Sequence, residues 1–275
     1  MKSAQISLKY QWLGMKIQRR FRVLVPQSWS QMPPAAMLDL CLQLTQGPAD
    51  WMGLHILGYF LPKAVKKRAR PQDLQPLLPL INWIWERPLY HPVIAKIPAG
   101  SQRLAMPSGL LYSGKMIELI TGHKYLLRYL KRGDPKSLDL FIAIWCRPLT
   151  AAGSRRPFSM AAARINAARL SDTPMAYKIY FFLFYCGCLK IMRQKYPLVF
   201  AEPDPDLNDN LAAAHPDNWR HFCLAAAGLP NLGGDYDKVK YKAIHDVLAA
   251  ADFSARQAEQ RKAEAEAAAR KQKLR

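Results

Sequence analysis

Several stretches of this sequence bring side chains with ligand or acid–base chemistry close together, and each has a plainer use to be weighed against. Asp206-x-Asn208-x-Asn210 begins as a calcium loop does, with oxygen ligands at alternate positions. Its sixth position is Leu211, where the sharp turn needs Gly, and its twelfth is Asp217 rather than a bidentate Glu. Cys186-Gly-Cys188 offers two soft ligands but has no second pair nearby and lies in an apolar helix, where free Cys is usually a small hydrophobe. His215, His221, Cys223 and His245 are four further ligand types whose spacing fits no zinc template. Asp235 and Asp237 pair two carboxylates in a turn, not in a cleft where acid–base work would be done.

The motifs of phosphate and acyl chemistry are missing. There is no G-x-S-x-G elbow, no G-x-x-x-x-G-K-[ST] loop and no G-x-G-x-x-G after a strand. Gly228, Gly233 and Gly234 read as chain-turning residues. The sequence therefore assigns no catalytic residue, no metal and no cofactor, and the expectation is a protein that is not an enzyme.

Charge is the strongest bulk signal. Forty Lys and Arg against twenty Asp and Glu leave the chain at +20, which attracts polyanions such as nucleic acid, an anionic membrane surface or an acidic protein. The densest run is Lys63-Ala-Val-Lys-Lys-Arg-Ala-Arg70, with five positive charges in eight residues, a phosphate-binding patch or simply a solvated basic loop. Five cysteines, without the spacing of a disulfide framework, fit a reducing cytoplasm. The N-terminus lacks a secretory signal pattern, and the longest uncharged apolar run, 179–189, is short of the roughly 20 residues that cross a bilayer. No transmembrane insertion is expected.

The elements that must carry these residues are mostly helices. Residues 1–20 read as a polar, basic arm ahead of a strand in which Phe21, Val23 and Val25 share one face. A helix follows with Met37, Leu38, Cys41, Leu42 and Leu44 on its apolar side, then a second over 51–61, and Pro71, Pro76 and Pro79 leave room only for short pieces before 85. Residues 99–112 read as a loop. Ser113 is placed as the N-cap of an amphipathic helix with Met116, Leu119 and Leu126 inward and Lys124, Arg128, Lys131 and Arg132 outward. Gly133-Asp134-Pro135 ends that helix and starts one bearing Leu138, Phe141, Ile142 and Trp145, which Arg147-Pro148 stops. Residues 150–175 read as an Ala-rich basic loop, 177–192 as a buried helix, and 203–210 as an acidic linker. The expected fold class is mostly α, an irregular helical domain (21–202) with a small N-terminal β element. An acidic linker (203–214), a small helical module (215–252) and a charged helical or disordered tail (253–275) complete the chain.

The order of these segments resembles tail-assembly proteins encoded in phages and prophage-like elements of Bacteroidetes-type bacteria. The residues that carry the likeness are Phe21-Arg-Val-Leu-Val-Pro-Gln-Ser-Trp29, the run Tyr125-Leu-x-x-Tyr129 through Gly133-Asp134 to Arg147-Pro148, residues 176–200, and Trp219-Arg-His-Phe-Cys-Leu-Ala-Ala-Ala-Gly228. The resemblance implies a cytoplasmic assembly factor, either released or carried into the virion, that binds a tape-measure or other tail protein. Tyr125, Tyr129, Trp145 and Trp219 are the contacts it would use, as amphipathic helices dock into grooves. The high positive charge and the long basic tail depart from the pattern and keep a second reading open. In it the protein binds nucleic acid through Lys63, Lys66, Lys67, Arg68, Arg155 and Arg156.

Overall fold

A computed structural model describes residues 1–12, 15–46, 49–200 and 219–273. The expected acidic linker at 203–214 lies outside the described residues. The fold is mostly α with a small N-terminal β element, and it divides into two compact units. The first comprises residues 1–95 and 173–187, the second 96–172 and 188–275. That division differs from a main domain over 21–202 followed by a C-terminal module.

The N-terminal segment is a strand, not an arm. β1 (Lys2–Trp12) pairs antiparallel with β2 (Met15–Val25) in a register running from Lys2↔Val25 to Trp12↔Met15. The reason is visible in period two: Ala4, Ile6, Leu8, Tyr10 and Trp12 alternate with polar residues. Ile6, Leu8, Val23 and Val25 are buried, while Gln5 and Arg22 face out. α1 (Pro34–Gln46) opens on a proline in its first turn and buries Met37, Leu40 and Cys41. α2 (Ala49–Phe60) buries Ile56 and Leu57. Prolines then hold the chain to single turns, α3 (Lys63–Lys66), α4 (Pro71–Leu74) and α5 (Trp83–Glu86), with a 3₁₀ stretch at Gln75–Ile81. Trp29 meets the buried Trp83 edge to face, with ring centroids 5.0 Å apart.

The second unit starts with a small hairpin, β3 (Lys96–Ala99) and β4 (Gln102–Ala105), whose second strand falls in the stretch expected to be a loop. α6 (Met116–Arg132) and α7 (Pro135–Trp145) follow the predicted pattern. Gly133 closes α6 at φ 64°, and the Asp134 carboxylate caps α7 by accepting from the Lys136 N–H and the Ser137 hydroxyl. The N-cap of α6 is Lys115, not Ser113, whose hydroxyl is committed elsewhere. The Ala-rich stretch holds a further helix, α8 (Met160–Leu170), capped by the Ser159 hydroxyl and burying Ala163, Asn166, Ala167 and Leu170. Its inward face is made of small residues, so it packs closely without an apolar stripe that composition would reveal.

α9 (Met175–Lys195) contributes residues 175–187 to the first unit and 188–195 to the second. Among the described residues it is the one helix whose length and composition would let it cross a membrane, a property that core helices share. Tyr180, Phe181, Phe184 and Tyr185 are fully buried on it, and the Tyr180 hydroxyl accepts from the Ile94 N–H at 2.8 Å. The second unit ends with α10 (Trp219–Ala227), α11 (Tyr236–Val239) and α12 (Ile244–Lys273). α12 joins what reads as a module helix and a separate tail into one element, exposed from Glu259 to Gln272.

In the first unit the helix α9 also explains Cys186-Gly-Cys188. A Cβ on Gly187 would lie 2.1 Å from the Leu89 carbonyl oxygen and 2.6 Å from its carbon, so the glycine is there for backbone approach. Cys186 is exposed and Cys188 buried. Gly187→Ala is expected to destabilise the protein by about 1–3 kcal/mol in urea denaturation, the usual penalty of overpacking. An unchanged or raised midpoint, the result helix propensity alone would give, would refute this packing.

Candidate partner-binding cleft

The second unit builds its cleft on α6, and α6 is positioned by what lies beneath it. Met116, Leu119, Gly122 and Leu126 face inward at helical spacing. Trp145, at the end of α7, is 0% exposed and fills the space under two glycines. A Cβ on Gly122 would stand 2.6 Å from the indole Nε1, and one on Gly114 would stand 2.8 Å from Cζ3 and 2.9 Å from the Ile244 side chain. Trp145 is therefore core, a correction to its expected role as a partner contact: no partner can reach a fully enclosed ring.

A buried ion pair fixes α6 against the segment after α7. Arg147 Nη2 lies 2.9 Å from Glu118 Oε1, with 7% and 2% of the side chains exposed. Arg147 also exchanges backbone hydrogen bonds with Ala105, which ties the β3–β4 hairpin to the same point. Burial pushes the Glu118 carboxyl up, against the pull of Arg147 and Arg155 toward the carboxylate. Glu118 Oε2 and Arg147 Nε and Nη1 have no hydrogen-bond partner, so neither charge could stay ionised without the other.

Arg155 completes this layer. Its guanidinium donates to the Trp145 carbonyl and to both the carbonyl and hydroxyl of Ser113, at 2.8 and 2.7 Å for the last two. Burial lowers its pKa, with the Arg147 charge adding to the effect. Arg155 is thus a structural cation, which corrects its expected place on a nucleic-acid surface. Arg156 beside it is exposed.

On the flank of α6 a cleft of about 660 Å³ opens toward α8 and α10. Its apolar wall is Ile120, Leu127 and Met160; Tyr125 and Trp219 supply aromatic surface; Lys124 and Arg220 carry the charge. Trp219 is 4% exposed and meets His123, Phe200 and Phe222 edge to face, with centroids 6.5, 5.6 and 5.7 Å apart. Two of the four predicted contacts, Tyr125 and Trp219, therefore meet in one concave site. Tyr129 is half-buried further along α6 and does not line it.

Sequence reasoning missed the rest of the lining. Lys124 reads from the sequence only as a solvated cation, whereas it lines the cleft together with the half-buried Ile120. Met160 and Arg220 lie in or beside stretches whose partners only tertiary structure supplies. In the first unit Lys63, Lys66, Lys67 and Arg68 are all exposed on or just after α3, and the Lys66 ammonium lies 5.8 Å from the Tyr59 ring centroid.

Of the remaining ligand-type residues, His215 and the calcium-loop-like stretch 206–217 lie outside the described residues, His221 is exposed, and Cys223 and His245 are buried. His245 Nε2–H donates to the Leu110 carbonyl at 2.8 Å, and Nδ1 accepts the Tyr196 O–H at 2.9 Å, so both ring nitrogens are occupied. Tyr112 stacks on the same ring at 4.2 Å, and the Lys195 ammonium donates to the Tyr112 hydroxyl. Burial pushes the Cys223 thiol up to about 11, leaving it protonated at neutral pH. Among the described residues no three of His, Cys, Asp and Glu converge as a metal would require. No known protein family, curated protein or solved structure matches the chain.

Two outcomes follow from these geometries. Arg147→Ala is expected to cost about 3–5 kcal/mol in urea denaturation by stranding Glu118, whereas Glu118→Gln with Arg147→Met costs less than the single change. Equal losses would mean the pair does not act as a unit. Burial and the nearby Lys195 charge hold His245 below the ordinary histidine range. The unfolded chain then binds more protons than the folded one as pH falls through about 6.5. The melting temperature should hold above that pH and drop below it, with a shallower drop in His245→Asn.

Proposed function

We propose that this is a non-enzymatic tail-assembly or tail-structural protein of a phage or prophage-like element, which binds a helical segment of a tape-measure or other tail protein. The observation that carries the reading is the cleft on α6, whose aliphatic wall, Tyr125 and Trp219 suit the apolar stripe of a helix docking into a groove. The order of segments that resembles tail-assembly proteins supplies the identity of the partner. The protein acts in the cytoplasm during assembly and is then either released or retained in the virion.

The nucleic-acid reading draws on a separate observation, the exposure of Lys63, Lys66, Lys67 and Arg156. One experiment separates the two. The protein is co-expressed with the tape-measure product of its own element, and the purified chain is titrated with duplex DNA across a salt series. Co-purification that falls at least about tenfold in Tyr125→Ala, with DNA affinity unchanged, is the expected result. Failure to co-purify, together with DNA binding that weakens steeply with salt and is lost in Lys63→Glu/Lys66→Glu/Lys67→Glu, would replace the assembly reading with the nucleic-acid one.

A further inference from the structure

The chemistry of the cleft narrows what can fill it. Among the described residues neither Asp nor Glu lines it, and the two formal charges there, Lys124 and Arg220, are both positive and exposed. Trp219 adds an indole N–H that is buried with no hydrogen-bond acceptor, an unfavourable state for a donor removed from water. The described lining thus combines an apolar wall with donors and cations that have no anionic counterpart among the described residues. We propose that its occupant is an acidic amphipathic helix of a partner protein, in which a large aliphatic or aromatic residue stands one turn from an Asp or Glu. The apolar side chain packs against Ile120, Leu127 and Met160, and the carboxylate pairs with Lys124 and Arg220 beside the Trp219 indole. Residues one turn apart share a helix face, so a single short segment delivers both groups.

Other occupants fit less well. A nucleic acid needs cations that track its backbone, and two charges beside an aliphatic wall do not form such a track. The exposed end of α12 from a second copy carries Glu259, Glu264 and Glu266, but residues 254–273 contain no large apolar side chain to fill the wall. The proposal rests on the assembly reading only in taking a protein as the partner, and does not depend on that protein being a tape measure.

The test uses the full-length protein and a random-peptide library. Enriched peptides are expected to carry a carboxylate within one helical turn of Leu, Ile, Met or Phe. A synthetic representative should bind more weakly as salt is raised, and should lose at least about tenfold in affinity to the Lys124→Glu/Arg220→Glu variant. It should bind Lys67→Glu, just after α3, as it binds the wild type. Circular dichroism and melting temperature confirm that the double variant folds; if it does not, Lys124→Gln/Arg220→Gln takes its place. Enriched peptides lacking a carboxylate, binding that survives the charge reversal, self-association in place of peptide binding, or no enrichment would each overturn the proposal. Failure of tape-measure co-purification alongside a charge-dependent acidic consensus would remove the tail reading and leave the acidic-helix site standing.

Discussion

The second unit depends on how closely α6 can lie on Trp145. An indole packed under a helix backbone leaves no room for a Cβ at Gly122, and none at Gly114 just ahead of the helix. The approach brings Glu118 down to Arg147, and a carboxylate buried to that depth tolerates its charge only because the guanidinium is 2.9 Å away. Arg147 is itself held by backbone bonds to Ala105, so one contact fixes α6, the end of α7 and the β3–β4 hairpin together. Arg155 extends the same layer to Ser113 and the Trp145 carbonyl. Stiffness beneath α6 is what lets its outer flank present a formed cleft instead of a surface assembled on contact.

That arrangement also sorts the basic residues. Arg147 and Arg155 work inside the fold and contribute little to the field outside it. Lys124 and Arg220 are exposed in the lining of the cleft, where the proposed acidic helix would meet them. The exposed lysines of α3 belong to the first unit. A formal charge of +20 is therefore not one property with one use. Part of it is buried and structural, and part is exposed, on the flank of α6 and around α3.

Much of the fold was legible because its signals are local. Gly133-Asp134-Pro135 specifies a left-handed stop, a carboxylate cap and a first-turn proline in three consecutive residues, and the structure uses each in that way. Prolines 71, 76 and 79 likewise confine the chain to short turns. Two misses have physical reasons. The charge of the N-terminal residues suggests an arm, but the alternation from Ala4 to Trp12 is the stronger pattern. The helix α8 buries mainly alanines, whose contribution depends on what they approach and leaves no hydrophobic stripe. Of the site, Tyr125 and Trp219 could be singled out as large amphipathic side chains, but their convergence joins residues some ninety positions apart, which no local pattern encodes.

The loop ahead of α6 shows how far the framework carries a local departure. Leu110 and Leu111 both adopt left-handed backbone, φ 54° and 59°, a conformation that is unfavourable for a residue with a branched side chain. Such a conformation persists only where its surroundings over-determine it, and here they do. His245 Nε2–H donates to the Leu110 carbonyl, which fixes the histidine tautomer, while the Tyr196 hydroxyl donates to Nδ1; Ser108 and Ser113 exchange reciprocal backbone-to-hydroxyl bonds across the turn; Arg155 pins Ser113 from the other side. Leu110 and Leu111 are themselves buried, so the twist places two apolar side chains in the core at consecutive positions, which extended backbone, with its alternating faces, would not do. The strain is the local consequence of packing both leucines inward immediately before a helix that the Glu118–Arg147 pair and Trp145 hold in place.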